Sequence, residues 1–65
     1  EYYRITYSVK QKLAFICLNW PENNNALDDQ MVSELTEAFV QAQRDSNVKA
    51  VILRAEGDYF CSGID

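Results

Sequence analysis

The spacing of apolar positions changes character along the chain, and each change marks an element. Over residues 2–10 the pattern alternates: Tyr3, Ile5, Tyr7 and Val9 fall on one face, Arg4, Thr6, Ser8 and Lys10 on the other. A period of two among β-forming residues predicts a half-buried strand. Lys10-Gln11-Lys12 is a polar break short enough for a hairpin. Residues 13–18, Leu-Ala-Phe-Ile-Cys-Leu, are apolar on both faces, which predicts a strand covered on both sides. The two strands are expected to pair as an antiparallel hairpin, the first nearer an edge.

Helical spacing follows. Met31, Val32, Leu35, Ala38, Phe39 and Ala42 make one apolar stripe. The helix is expected to begin near residues 26–29 and to run to about Arg44. Asp28 and Asp29 lie in its first turn and Arg44 in its last, as the helix dipole favours. Those two carboxylates therefore read as helix-terminus electrostatics before an acid–base couple. Val40 points away from the stripe, either simply exposed or facing something outside this chain. Residues 45–48 close the helix, and Ala50-Val-Ile-Leu53 is a continuous apolar run of the kind found in buried parallel strands. The order is β-β-α-β and then a loop, an α/β arrangement whose strand–helix–strand crossover should be right-handed.

Composition narrows the class. Sixty-five residues make at most one small domain, marginal in stability without staples. With two cysteines and no histidine, neither a disulfide framework nor a zinc site of ordinary spacing is expected. Cys17 reads as a small core residue. Cys61 fits either packing or a free thiol, and nothing in the sequence asks for a bond between them. A net charge of −4 with scattered basic residues argues against a nucleic-acid partner. No apolar run has the length of a membrane span, and no basic-then-apolar leader is visible. A protein of a reducing compartment, without a membrane partner, is the expectation. A parallel strand pair needs cover on both faces, yet only one helix is present. The chain is accordingly expected to be a fragment, and the lack of an initiator Met agrees.

Two loops of unusual composition stand at the carboxyl ends of the parallel strands, where ligands settle in α/β sheets. The first, residues 19–27, holds Trp20-Pro21 and three consecutive asparagines, residue types that suit turns. Asn23 and Asn24 are explained by polar low complexity alone, whereas Asn25 precedes a helix start. The second, residues 56–65, contains both glycines, Gly57 and Gly63. Gly63 permits close approach to the main chain, and a helix starting after it would present free N–H groups to an anion. A tight small-residue turn that lets a strand pack closely explains the same residues. Glu22, Glu34, Glu37 and Glu56 look solvated, and none is expected to act as a general acid or base.

The same loops carry a resemblance. Ile16-Cys-Leu-Asn-Trp-Pro-Glu-Asn-Asn-Asn-Ala-Leu27, then a helix, then Asp45, Val48 and Ala50-Val-Ile-Leu53, then Phe60-Cys-Ser-Gly-Ile-Asp65 together resemble the N-terminal part of the crotonase (enoyl-CoA hydratase/isomerase) superfamily. The resemblance implies residues 1–65 of a single crotonase-like domain of ββα spiral fold, its remainder lying downstream. It implies an enzyme that binds acyl-CoA thioesters and passes through an enolate-like anion. One oxyanion donor would be the backbone N–H of Ile64. The main chain at Ser62 would help hold the CoA adenine, Gly63 would allow close approach, and Asp65 would open the next helix and steady the turn. Around Asn24 and Ala26 the main chain would lie along pantetheine and adenine. No tightly bound cofactor is implied, CoA arriving as part of the substrate. A homotrimer or hexamer is implied, in the cytoplasm or an organelle matrix. Trp20 and Asn23 depart from the basic residues frequent in this loop, so contacts to the CoA phosphates would come from elsewhere. The reaction is not implied, because the second oxyanion donor and the acid–base carboxylates lie past residue 65. A non-catalytic binding module of the same fold is the alternative.

Overall fold

A computed structural model describes residues 2–63. Strand β1 spans Ile5–Lys10, β2 Leu13–Leu18 and β3 Ala50–Ala55; helix α1 spans Asp29–Arg44, and a single 3-10 turn covers Pro21–Asn23. The sheet order is β1-β2-β3. The first two strands are antiparallel, with Ile5 opposite Leu18 and Lys10 opposite Leu13. The second and third are parallel, with Leu13 beside Ala50 and Leu18 beside Ala55. The hairpin, the edge position of β1 and the β-β-α-β order are as the periodicities predict. Gln11 and Lys12, with φ of 52° and 68°, form the two-residue turn, because positive φ at both positions matches the twist of the flanking strands.

Ile5, Ile16, Leu18, Met31 and Ala38 form the buried cluster between helix and sheet, each no more than 2% exposed. Helix α1 begins where Asp28 caps it: the carboxylate accepts the Met31 N–H at 2.8 Å. That same carboxylate takes the Arg4 guanidinium at 3.0 Å, and the guanidinium lies 3.7 Å from the centre of the Trp20 ring. Hydrogen bonds from Met31 and Arg4 hold the Asp28 carboxyl below the usual carboxylate range.

Four expectations need correction. Strand β1 starts at Ile5 and not at Tyr2, because the backbone ahead of it is bound by a side chain. The Glu34 carboxylate accepts the N–H groups of Tyr3, Arg4 and Ile5. Glu34 is therefore not solvated but only 4% exposed. Burial raises its carboxyl, but hydrogen bonds from Gln30 and from those backbone N–H groups outweigh it and leave it below the ordinary value. Strand β3 is likewise not buried: Val51, Ile52 and Leu53 are 37%, 37% and 42% exposed. It is a sheet edge, and α1 packs over β1 and β2. For the same reason the helix stripe is only partly used. Met31, Ala38 and Ala42 are buried, while Val32 and Phe39 remain exposed. Among the described residues no helix is long and apolar enough to cross a membrane.

Candidate functional site: two joined loops

The site grows from the carboxyl ends of β2 and β3. After Leu18 the chain turns through Trp20, whose pre-proline position keeps it out of the α region (φ −132°), and enters the 3-10 turn. Asn24 and Asn25 then both take the left-handed conformation, at φ 54° and 55°. Asparagine tolerates that region better than other side chains do, which explains the polar run. Beyond β3 the second loop turns at Gly57, φ 89°, and passes Tyr59, Phe60 and Cys61 to Gly63, φ 108°.

Hydrogen bonds join the loops. Asn25, fully buried, accepts the Trp20 N–H on Oδ1 at 2.7 Å. Its Nδ2 donates to the carbonyls of Glu56 and Tyr59, each at 2.7 Å. The Leu27 N–H donates to the Gly63 carbonyl at 2.8 Å, and the Glu56 N–H to the Leu18 carbonyl at 2.8 Å. One side chain and one backbone amide of the first loop thus hold three carbonyls of the second.

The residues singled out from sequence fall on this pair of loops. Asn24 is exposed, and its N–H closes on the Pro21 carbonyl at 3.1 Å. Ala26 is buried, with its N–H on the Asn23 carbonyl at 3.0 Å. Both amides of that pair are committed inside the loop. Ser62 and Gly63 are exposed, and a Cβ built on Gly63 would meet nothing within 4 Å. Ile64 and Asp65 lie outside the described residues. Trp20 anchors its loop, packed against the core with Arg4 over its face. Cys61 packs against the core as a half-buried free thiol. Cys17 is free too, its Sγ 3.7 Å from a Glu56 carboxylate oxygen. Burial, and then the Glu56 charge, push that thiol upward, away from nucleophilic use.

Sequence reasoning passed over two groups. Asn25 looked like a helix-start residue, but Asp28 is the cap, and Asn25 instead ties the loops. Gly57 stood out only as one of the two glycines of its loop, yet it lies against Pro21. Repetition hid the first: three adjacent asparagines look alike until the fold distinguishes them. What this arrangement offers chemically is main chain held rigidly at the open end of a parallel strand pair. Among the described residues no group of three metal-ligating side chains gathers.

A model of the enoyl-CoA hydratase/isomerase family matches residues 8–65. A probable enoyl-CoA hydratase of Mycobacterium tuberculosis is 35% identical over the whole chain, which spans 25% of that relative. The crystal structure of an enoyl-CoA hydratase/isomerase from Mycobacterium paratuberculosis superposes with a TM-score of 0.98 at 37% identity, covering 100% of this chain and 26% of that one. An enoyl-CoA hydratase/isomerase from Xanthobacter autotrophicus Py2 gives 0.95 at 45% identity, over 100% of this chain and 24% of that one. The chain spans about a quarter of the length of these relatives.

Proposed function

The chain belongs to the enoyl-CoA hydratase/isomerase family, and from that premise we propose that it is the N-terminal part of an enzyme acting on acyl-CoA thioesters. The Ile64 backbone N–H donates to the thioester oxygen as it becomes enolate-like. One observation carries this reading. Gly63 is exposed at φ 108° with open space where a side chain would stand, while its carbonyl is tied back to Leu27. In a planar trans peptide the C=O and N–H point in opposite directions. A donor aimed at a ligand from that peptide requires the Gly63 carbonyl to face the other way, and its bond to the Leu27 N–H, which turns it toward the first loop, supports the reading.

Main-chain donors suit this task because they are preorganised and carry no side-chain freedom. Loss of one such donor in other enzymes costs about 3 kcal/mol of transition-state stabilisation. Ser62 and the main chain around Asn24 and Ala26 are proposed to follow the CoA moiety. With the Asn24 and Ala26 amides already bonded in the loop, their contribution falls to carbonyl oxygens. Asp65 is proposed to open the next helix. CoA enters as part of the substrate, with no tightly bound cofactor. A homotrimer or dimer of trimers in the cytoplasm or an organelle matrix completes the proposal. Residues outside this chain choose among hydration, double-bond shift and the family's other reactions.

Kinetics of the full-length enzyme test the reading. Gly63→Val should abolish acyl-CoA binding by filling the approach to the main chain. Ile64→Ala, which keeps the N–H, should change kcat by less than about tenfold. The reverse pattern would refute a backbone donor.

A further inference from the structure

Asn25 is fully buried, and its carboxamide makes three hydrogen bonds that serve other residues' backbone. Trp20, on its own loop, gives it an N–H. Glu56 and Tyr59, 31 and 34 positions downstream, take both hydrogens of its Nδ2. A carboxamide places two donors and an acceptor on one short planar group. The left-handed φ of 55° is one that asparagine tolerates. Two residues on, Leu27 holds Gly63. The second loop is therefore gripped at its start by a side chain and at Gly63 by a backbone amide, both from the stretch 25–27.

We propose that Asn25 is a positioning residue for the proposed site: its carboxamide fixes the second loop against the first and keeps the Gly63 carbonyl on the Leu27 N–H. The inference rests on the reading of the site given above. Replacing the NH2 by oxygen turns two attractive contacts into repulsive ones. In Asn25→Asp a carboxylate oxygen faces the carbonyls of Glu56 and Tyr59 with no proton between them. Burial favours the protonated form of such a carboxyl, which regains one O–H donor.

The test uses the full-length protein, with crotonyl-CoA as probe. In Asn25→Asp, kcat should fall about 100-fold, the order of one lost oxyanion donor, with KM within about threefold of the parent. The ratio of variant to parent kcat should rise as pH falls. By NMR, the Leu27 amide should exchange with solvent at least about tenfold faster, while the helix α1 core amides keep their protection. Should Asn25→Asp fail to fold, Asn25→Gly, which accepts the positive φ, is measured for kcat, KM and Leu27 exchange with the same expectations. A variant with parental kcat, or with Leu27 exchange unchanged, overturns the proposal. If the parent neither binds nor turns over an acyl-CoA, the reading of the site fails instead, and Leu27 exchange alone then judges the clamp.

Discussion

Gly57 stands directly against Pro21: a Cβ built on Gly57 would lie 2.8 Å from the Cβ of Pro21 and 3.5 Å from its Cα. The proline ring is fixed, so it cannot yield as a flexible side chain would. Here the first loop touches the second through atoms that leave no room for a methyl group.

Gly57→Ala should therefore destabilise the protein by about 2 kcal/mol or more, from the strained positive φ together with overpacking. Gly63→Ala carries a similar φ penalty but meets open space. Urea unfolding of the two variants at full length should rank Gly57→Ala as the more damaging. Equal losses would show that the Pro21 contact has no weight.

The buried carboxylate of Glu34 gives a pH-dependent prediction. Its folded value is lowered, so its contribution is present above the unfolded glutamate value and is lost as pH falls through the folded one. At neutral pH, Glu34→Gln puts an amide NH2 where backbone N–H groups converge and should cost roughly 1–3 kcal/mol. Denaturant titrations should show the gap between parent and variant narrowing only once pH falls beneath the ordinary glutamate range, as the Glu34 carboxylate takes up its proton. A gap that persists unchanged into acid would mean that packing, and not charge, supplies the effect.

In the hairpin, Gln11 and Lys12 occupy left-handed positions that neither residue favours. Substituting Asn for Gln11 and Gly for Lys12 places preferred residues in a turn of unchanged geometry. The expected gain is about 1 kcal/mol, partly offset by the greater freedom of glycine in the unfolded chain. The Lys12 carbonyl would keep its bond to the Lys49 N–H at 2.8 Å. A lower unfolding midpoint in the double variant would contradict this.

Much of the fold was legible because each element has its own period. Alternation marked β1, the Met31–Ala38–Ala42 spacing marked α1, and the helix start was legible to within residues 26–29, though not that Asp28 caps it. Glu34 could have been found as well: it stands three residues after Met31 and four before Ala38, on the buried side of the stripe. A carboxylate in that place calls for backbone N–H partners, and Tyr3, Arg4 and Ile5 supply them. The exposure of β3 was not legible, since an apolar run tells what a strand is built to be covered by, not what this chain sets over it. In the site, composition marked both loops, but which asparagine bridged them depended on a contact across 31 residues.

The uncovered strand leads to the last prediction. Val51, Ile52 and Leu53 are 37–42% exposed, and Tyr59 and Phe60 in the following loop are 55% and 54% exposed. A chain of 65 residues is already near the lower size at which one core can stabilise a domain. With its parallel strand at an open edge, much of the apolar surface that should offset chain entropy stays in water. The 65-residue peptide by itself should therefore melt without a cooperative transition, its far-ultraviolet circular dichroism declining gradually and its calorimetric trace showing no peak. A two-state domain of this length would instead absorb about 45 kcal/mol at its midpoint. A sharp melt of that size in the isolated peptide would mean that the hairpin, helix α1 and the joined loops sustain the fold unaided. The exposed faces of β3 would then be surplus to its stability.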